Sequence, residues 1–234
     1  MSASSTDQEI QRIRVEYERR EREMPANRYA WNHPEHYFLQ CQTSRACIAQ
    51  LNRAGMFPLT GRRVADIGCG SGQWLLEFAQ WDAQTLAGID LDERRIQRAK
   101  TKLPAADLHA GDARSLPWQN ESFDLVSQFT LFTSILSTPM KKDIAAEMMR
   151  VVKPNGVILW NDFRVDNPRN RNVAGIRASE IRALFPGCTV DLHSVTLAPP
   201  LARAIVPLSW AGALMLESLP FLRTHYLGII RKQS

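Results

Sequence analysis

The sequence predicts an α/β domain built on a doubly wound, mostly parallel sheet, and three observations carry that expectation. After Gly61, short apolar runs rich in strand formers (VADIG, TLAGID, ADLHAGD, FDLVSQF, GVILWND) alternate with helical stretches such as QWLLEFAQW, ERRIQRAKTK and MKKDIAAEMMRVV. Strand and helix in turn imply parallel strands joined by helical crossovers. The first run is followed at once by Gly68, Gly70 and Gly72, a turn bare enough to let backbone press against a ligand. Finally, 234 residues suffice for one such domain with a large core and are short for two.

The elements follow in chain order. Ile10, Ile13 and Tyr17 form one helical stripe within a field of Arg and Glu, which reads as an amphipathic helix laid on the domain. An aromatic, histidine-containing connector, PANRYAWNHP, leads to a second helix from Glu35 to Gly55, with Gly55 as its cap. Residues 1–60 are therefore expected to form a helical cap or lid, and residues 61–234 the core. Right-handed crossovers bring the strand C-termini to one edge of the sheet, where open α/β folds place ligands. Asp92 reads as an N-cap. The tail departs from simple alternation: a β-like TVDLHSVTLA, then Pro199 and Pro200, an apolar helical stretch to Pro220, and a β-like THYLGIIR.

Composition narrows the setting. Twenty-nine Lys and Arg against 24 Asp and Glu is within the ordinary range for an enzyme and demands no anionic partner. Cys41, Cys47, Cys69 and Cys188 show neither CxxC spacing nor a histidine at zinc-finger spacing, so a reducing compartment without disulfides or structural zinc is expected. The charged N-terminus lacks a secretory pattern. The uncharged run Ala204–Leu216 is too short to span a bilayer and is broken by Pro207. A cytoplasmic chain with at most peripheral membrane contact is expected.

The glycines also constrain the ligand. A dinucleotide fingerprint would read GxGxxG with pyrophosphate on the helix N-terminus. Here the spacing is GxGxG and Asp66 stands before it; a carboxylate there suits an ammonium and offers nothing to a pyrophosphate. The stretch Asp66-Ile67-Gly68-Cys69-Gly70-Ser71-Gly72, between strand and helix, resembles the first cofactor motif of the class I S-adenosylmethionine-dependent methyltransferases. SFDLV and EMMRVVKPNGVILW look like that family's fourth strand, helix and fifth strand, so the resemblance covers Arg62 to Asp162. It implies a seven-stranded, Rossmann-like sheet of order 3-2-1-4-5-7-6 with strand seven antiparallel, and S-adenosylmethionine as cofactor. It also implies cofactor contacts from Asp66, Gly68, Cys69, Gly70, Gly72, Asp90, Leu91, Asp112, Ala113 and Gln128, with Tyr29 from the connector. Among these Asp90 would take the ribose hydroxyls, Asp112 the adenine amino group, and the Ala113 N–H the ring.

The acceptor side is less defined. After the fourth strand Gln128-Phe129-Thr130 replaces the Asn-Pro-Pro-aromatic loop of DNA amino-methyltransferases, and Asn167-Pro168 comes after the wrong strand. QFTLFTSIL brings no carboxylate for a divalent cation. Neither nucleic acid nor a metal is expected. In the implied fold, Pro199 to Arg223 becomes an apolar insertion over the acceptor pocket. His225 is then the leading general base, with Asp162 beside it; Phe129, Arg164, Tyr226 and His33 are the acceptor-binding candidates, and His36 is a further rival. QFTLFTSIL, WNDFRVDNPRN, TLAPPLAR and LRTHYLG look like bacterial methyltransferases of surface-polysaccharide clusters. That likeness implies O-methylation of a sugar, nucleotide-linked or lipid-linked glycan, with Arg164, Arg169, Arg171 or Arg203 available for phosphate. An isoprenoid or quinone-like lipid is the competing acceptor. A non-catalytic partner subunit, with the apolar stretch as its interface and an oligomer as its form, is the reading from another class.

Overall fold

The structure, a computed structural model, describes residues 5–23, 33–168 and 170–233. Seven strands form one sheet: β1 (Arg63–Ile67), β2 (Thr85–Asp90), β3 (Asp107–Ala110), β4 (Phe123–Phe129), β5 (Val152–Phe163), β6 (Cys188–Leu197) and β7 (Arg223–Lys232), in the order β3-β2-β1-β4-β5-β7-β6. β1 runs parallel to β2 and β4, β2 to β3, and β4 to β5, while β7 is antiparallel to both β5 and β6. Order and direction match the expectation.

Eight helices flank the described sheet: α1 (Ser5–Glu23), α2 (Pro34–Arg53), α3 (Gln73–Gln80), α4 (Glu93–Lys102), α5 (Thr138–Val151), α6 (Ala178–Leu184), α7 (Pro199–Ile205) and α8 (Trp210–Glu217). Because successive strand side chains point to opposite faces, the sheet separates two cores. Val64, Leu125, Leu159 and Leu227 pack under Cys47 and Leu51 of α2, Leu75 and Phe78 of α3, and Ile96 of α4. Ala65, Val126, Ile158 and Trp160 pack on the other face, under Ile144 and Met148 of α5, Ile181 of α6 and Ile13 of α1.

The first two helices therefore do not form one cap. α2 packs over β6 and β7, with Gln42 Oε1 accepting from Leu197 N at 3.1 Å, whereas α1 lies on the opposite face beside the carboxyl edge of the sheet. Asp92 caps α4 as its side chain accepts from Arg94 N. Gly55 follows the end of α2 at φ 68°. The apolar tail divides at Pro207 into α7 and α8, where Pro lacks the N–H and the freedom to continue a helix. α6, seven residues long, carries too little periodicity to announce itself.

Candidate active site

The glycine turn is tied to the next strand by backbone. Gly68 N and Cys69 N both donate to Ile89 O, at 2.8 and 3.0 Å. Gly68 adopts φ 76°, and a Cβ there would stand 3.0 Å from Leu131 Cδ1, so both conformation and space call for glycine. Gly70, at φ 54°, donates its N–H to Asp90 Oδ2 at 2.9 Å, while Asp92 N holds Oδ1 at the same distance. The carboxylate that closes β2 thus shapes the turn that follows β1.

Two buried acids lie behind this turn. Asp66 is 2% exposed, and its hydrogen-bond partner is the Ser127 hydroxyl, which donates at 2.7 Å. Burial pushes its pKa up to about 7, the Ser127 bond lowers it somewhat, and neighbouring Asp90 raises it further. Asp90 is also raised by burial, against the backbone N–H groups of Asp92 and Gly70 and the charge of Arg95, which lower it. A buried carboxyl with a hydroxyl partner and no cation is chemically incomplete when ionised. Asp112, the third acid, accepts from Arg114 N and from both Arg114 Nε and Nη2, which leaves part of its capacity for a ligand.

Asp90, Leu91, Gly111, Asp112, Ala113 and Gly68 line one cavity. α1 roofs it with Ile13 and Tyr17, and only ≈ 30 Å³ remains, room for a water or two. A second space of ≈ 550 Å³ opens outward between α1 and the loops after β2 and β3. Tyr17, Leu91 and Asp112 border both. The roof is latched: Glu9 accepts from Leu136 N and Ser137 N, and Arg12 donates to Ser134 O at 2.7 Å and Asn172 O at 3.1 Å.

The donor set fits S-adenosylmethionine. Its ammonium and sulfonium are cations and its ribose diol a pair of donors, matching two buried carboxylates among glycines whose backbone leaves room. Asp66 and Gly68 would hold the amino-acid end, Asp90 the ribose, and Leu91, Asp112 and Ala113 the adenine. Cys69 and Gly72 support the turn instead: the Cys69 N–H is committed to Ile89 O, and Gly72 N donates to Cys69 O. Gln128, expected at the cofactor, is fully buried, donating from Nε2 to Asn161 O and accepting at Oε1 from Leu131 N. Its role is to position the loop that closes over Gly68. Tyr29 and Arg169 lie outside the described residues.

On the acceptor side, strand alternation divides the expected set. Phe163 pairs with His225, and Asp162 with Tyr226, across the β5–β7 ladder. His225 therefore shares the α2 and α3 face with Leu227, Asn161, Phe129, Ser127 and Asp66, while Tyr226 faces the α5 side with Asp162. Arg164 stacks over the Tyr226 ring at 5.2 Å, so Arg164 and Tyr226 meet each other on the face away from His225. Phe129 lies flat against Trp74, centroids 3.8 Å apart and 8° from parallel, forming an aromatic wall beside the glycine turn. His33, just before α2, has Nδ1 3.7 Å from Glu35. Arg171 and Arg203 are exposed on separate segments.

Asp162 requires a correction. It is fully buried and its pKa is raised to about 6 by that burial. Oδ2 accepts from Phe132 N and Thr133 N, and Oδ1 from Thr133 Oγ1 and Phe163 N. Four donors saturate the carboxylate, leaving no lone pair for a substrate proton. It braces the turn after β4, which begins at Thr130 with φ 56°, a costly conformation for a β-branched residue. His225 is 7% exposed, lies 3.8 Å from the Phe163 ring, and is held near pKa 3 by desolvation. It is a neutral imidazole, with Nδ1 3.2 Å from Thr224 Oγ1.

Sequence reasoning did not single out Ser127, Trp74, Asn161 or the roofing role of Ile13 and Tyr17. Asn161 Nδ2 is buried without a hydrogen-bond partner among the described residues, on the same sheet face as His225. Only the alternation of β4 and β5, once fixed in register, brings Ser127 and Asn161 to the sheet face of Asp66.

Fold and site together give a Rossmann-like sheet with an acid-and-glycine cleft at its carboxyl edge. Residues 64–156 match the family model described as a methyltransferase domain. The chain is 30% identical over 136 residues to 27-O-demethylrifamycin SV methyltransferase of Amycolatopsis mediterranei, covering 55% of this chain and 49% of that protein. It is 32% identical over 133 residues to phthiotriol/phenolphthiotriol dimycocerosates methyltransferase 1 of Mycobacterium ulcerans, covering 54% and 46%. The chain spans about half the length of the curated relatives it matches. Among solved structures, Haemonchus contortus phosphoethanolamine N-methyltransferase 1, in complex with phosphoethanolamine and S-adenosylhomocysteine, superposes with a TM-score of 0.66 at 15% identity, over 100% of this chain and 50% of that one. At that identity the likeness is one of fold.

Proposed function

We propose that the chain transfers the methyl group of S-adenosylmethionine to a hydroxyl of an apolar or lipid-linked acceptor. One observation carries the reading: a buried carboxyl, Asp66, has no cationic partner among the described residues and sits behind a glycine turn shaped by a second buried acid. S-adenosylmethionine, when bound, would supply an electrophilic methyl to the acceptor oxygen, its sulfur leaving in line as the thioether of S-adenosylhomocysteine. Asp66 ionises against the ammonium, Asp90 orients the ribose, and the Trp74–Phe129 wall excludes water from the approach. His225, a neutral imidazole whose desolvation disfavours protonation, would accept a hydrogen bond from the acceptor's hydroxyl and orient its oxygen, the proton passing to solvent once the new C–O bond has formed. Asn161 Nδ2 offers an unused donor to a second acceptor oxygen.

The apolar character of the acceptor is supported by the segment from Pro199 to Leu222, which joins β6 to β7 and carries two charges, Arg203 and Glu217. The two relatives named for rifamycin and for phthiotriol dimycocerosates fit the same choice. A sugar hydroxyl on a lipid carrier meets the requirement equally, so a lipid-linked glycan stays within the proposal. The test is incubation of the purified chain with deuteromethyl S-adenosylmethionine and a panel of prenyl-linked sugars, polyketide alcohols and prenylated quinols, read by mass spectrometry. A deuteromethyl ether is expected. A C-methylated ring would replace the proposal by quinone-type chemistry, and cofactor binding without any turnover would favour a partner-subunit role.

A further inference from the structure

α8 is the anomaly of the fold. A helix apolar on all sides belongs in a core, yet of its eight residues, WAGALMLE, only Ala213 is buried. Leu208 is 82% exposed, Phe221 77% and Met215 73%, with Trp210, Leu214 and Leu219 partly open around them. Pro207 and Pro220 are exposed at the two ends of the same knuckle. Isolated exposed apolar residues need no explanation; a contiguous set does.

The base of this knuckle is rigid. Phe38, Leu197, Ala202, Val206 and Ala213 form a small core beneath it, and Trp210 packs edge-on against Phe38 with centroids 5.2 Å apart. Its charge is one-sided. Glu217, the sole carboxylate between Pro199 and Arg223, is taken by Arg45 at 2.7 and 2.8 Å, while Arg223 donates to Glu217 O and Ser218 O. Arg203 is exposed and makes no hydrogen bond or ion pair among the described residues. Apolar side chains projecting from a fixed base, an interfacial Trp and a surplus of Arg match an anionic lipid surface.

We infer that the α7–α8 knuckle docks the enzyme on an anionic membrane surface by inserting Leu208, Met215 and Phe221 among the lipids. This stands on the exposed surface alone and is independent of which acceptor is methylated. The knuckle joins β6 to β7, on which His225 lies, so docking brings the acceptor side of the sheet toward the bilayer.

The test is co-sedimentation of the full chain with phosphatidylcholine vesicles, with and without phosphatidylglycerol. Binding is expected to the mixed vesicles and to be weaker on phosphatidylcholine alone. The triple variant Leu208→Ser, Met215→Ser, Phe221→Ser is expected to lose at least about tenfold in partition, with unchanged circular dichroism and unchanged S-adenosylhomocysteine binding. Arg203→Glu, which disturbs no packing, is expected to lose only the phosphatidylglycerol-dependent part. Failure of the wild-type chain to sediment with either vesicle overturns the inference. So does a dimer in analytical ultracentrifugation that the triple variant converts to monomer, since the occupant would then be a second copy.

Discussion

Ser127 Oγ donates to Asp66 Oδ1 at 2.7 Å across the β1–β4 pairing, and that bond holds the carboxyl proposed to meet the cofactor's ammonium. With a folded pKa of about 7 against roughly 4 unfolded, the folded chain retains a proton that the unfolded chain releases. The resulting stabilisation is present at low pH and is lost as pH rises through about 7.

Asp66→Asn should accordingly raise thermal stability at about pH 8 by on the order of 2–4 kcal/mol and change little in acid, where both side chains are neutral. The same change should weaken S-adenosylhomocysteine binding by roughly 10- to 100-fold. Wild-type affinity should fall as pH drops below about 7 because Asp66 must ionise to meet the ammonium, and the variant should lack that slope. Calorimetric titration across pH, with parallel melting curves, checks both effects.

His225 has the opposite linkage. Its folded pKa, near 3, lies below the unfolded value of about 6.5, so stability is full above the latter and declines by about 1.4 kcal/mol per pH unit as pH falls between the two. Urea unfolding of His225→Phe should show a shallower acid loss than wild type. His225→Phe should also lower kcat by about 100-fold through lost alignment of the acceptor oxygen while leaving S-adenosylhomocysteine affinity nearly unchanged. A fall in affinity that matches the fall in kcat would argue for a packing role alone.

Asp162→Ala strands three backbone N–H groups and the Thr133 hydroxyl inside the protein. A cost of at least about 3 kcal/mol is expected, read as a lowered denaturant midpoint. Activity measured well below the variant's melting temperature should be retained in part. Complete loss of turnover from a fully folded variant would return Asp162 to the chemistry.

The α1 roof must lift or swing for an adenosyl group to enter a space of ≈ 30 Å³. Glu9→Gln weakens the latch to Leu136 N and Ser137 N without touching the cavity lining. Both association and dissociation of S-adenosylhomocysteine should quicken, by about tenfold, with little change in their ratio. Stopped-flow tryptophan fluorescence reads the two rates separately.

Much of this site is legible in the sequence because strand ends and glycine turns are local features. Asp66, Gly68, Gly70 and Asp90 come together simply because β1 and β2 are parallel neighbours with Asp66 opposite Gly88. The acceptor side was less legible for a physical reason: a shift of one residue along β5 or β7 moves a side chain to the other face. His225 and Tyr226 look like one cluster in the chain and stand on opposite sides of the sheet. Asp162 reads as a free carboxylate until Phe132, Thr133 and Phe163 are seen to saturate it, and Gln128 likewise becomes a loop brace. α6 went unread because only Ile181 and Leu184 of its residues are buried, too few to mark a helical stripe.

Isothermal titration of the purified chain with S-adenosylhomocysteine, beside the Asp90→Ala variant, tests the cofactor cleft most directly. Saturable one-to-one binding that Asp90→Ala weakens at least about tenfold is predicted, with no heat from NAD. A silent titration with S-adenosylhomocysteine, or tight binding of NAD displaced by the same substitution, would contradict the account.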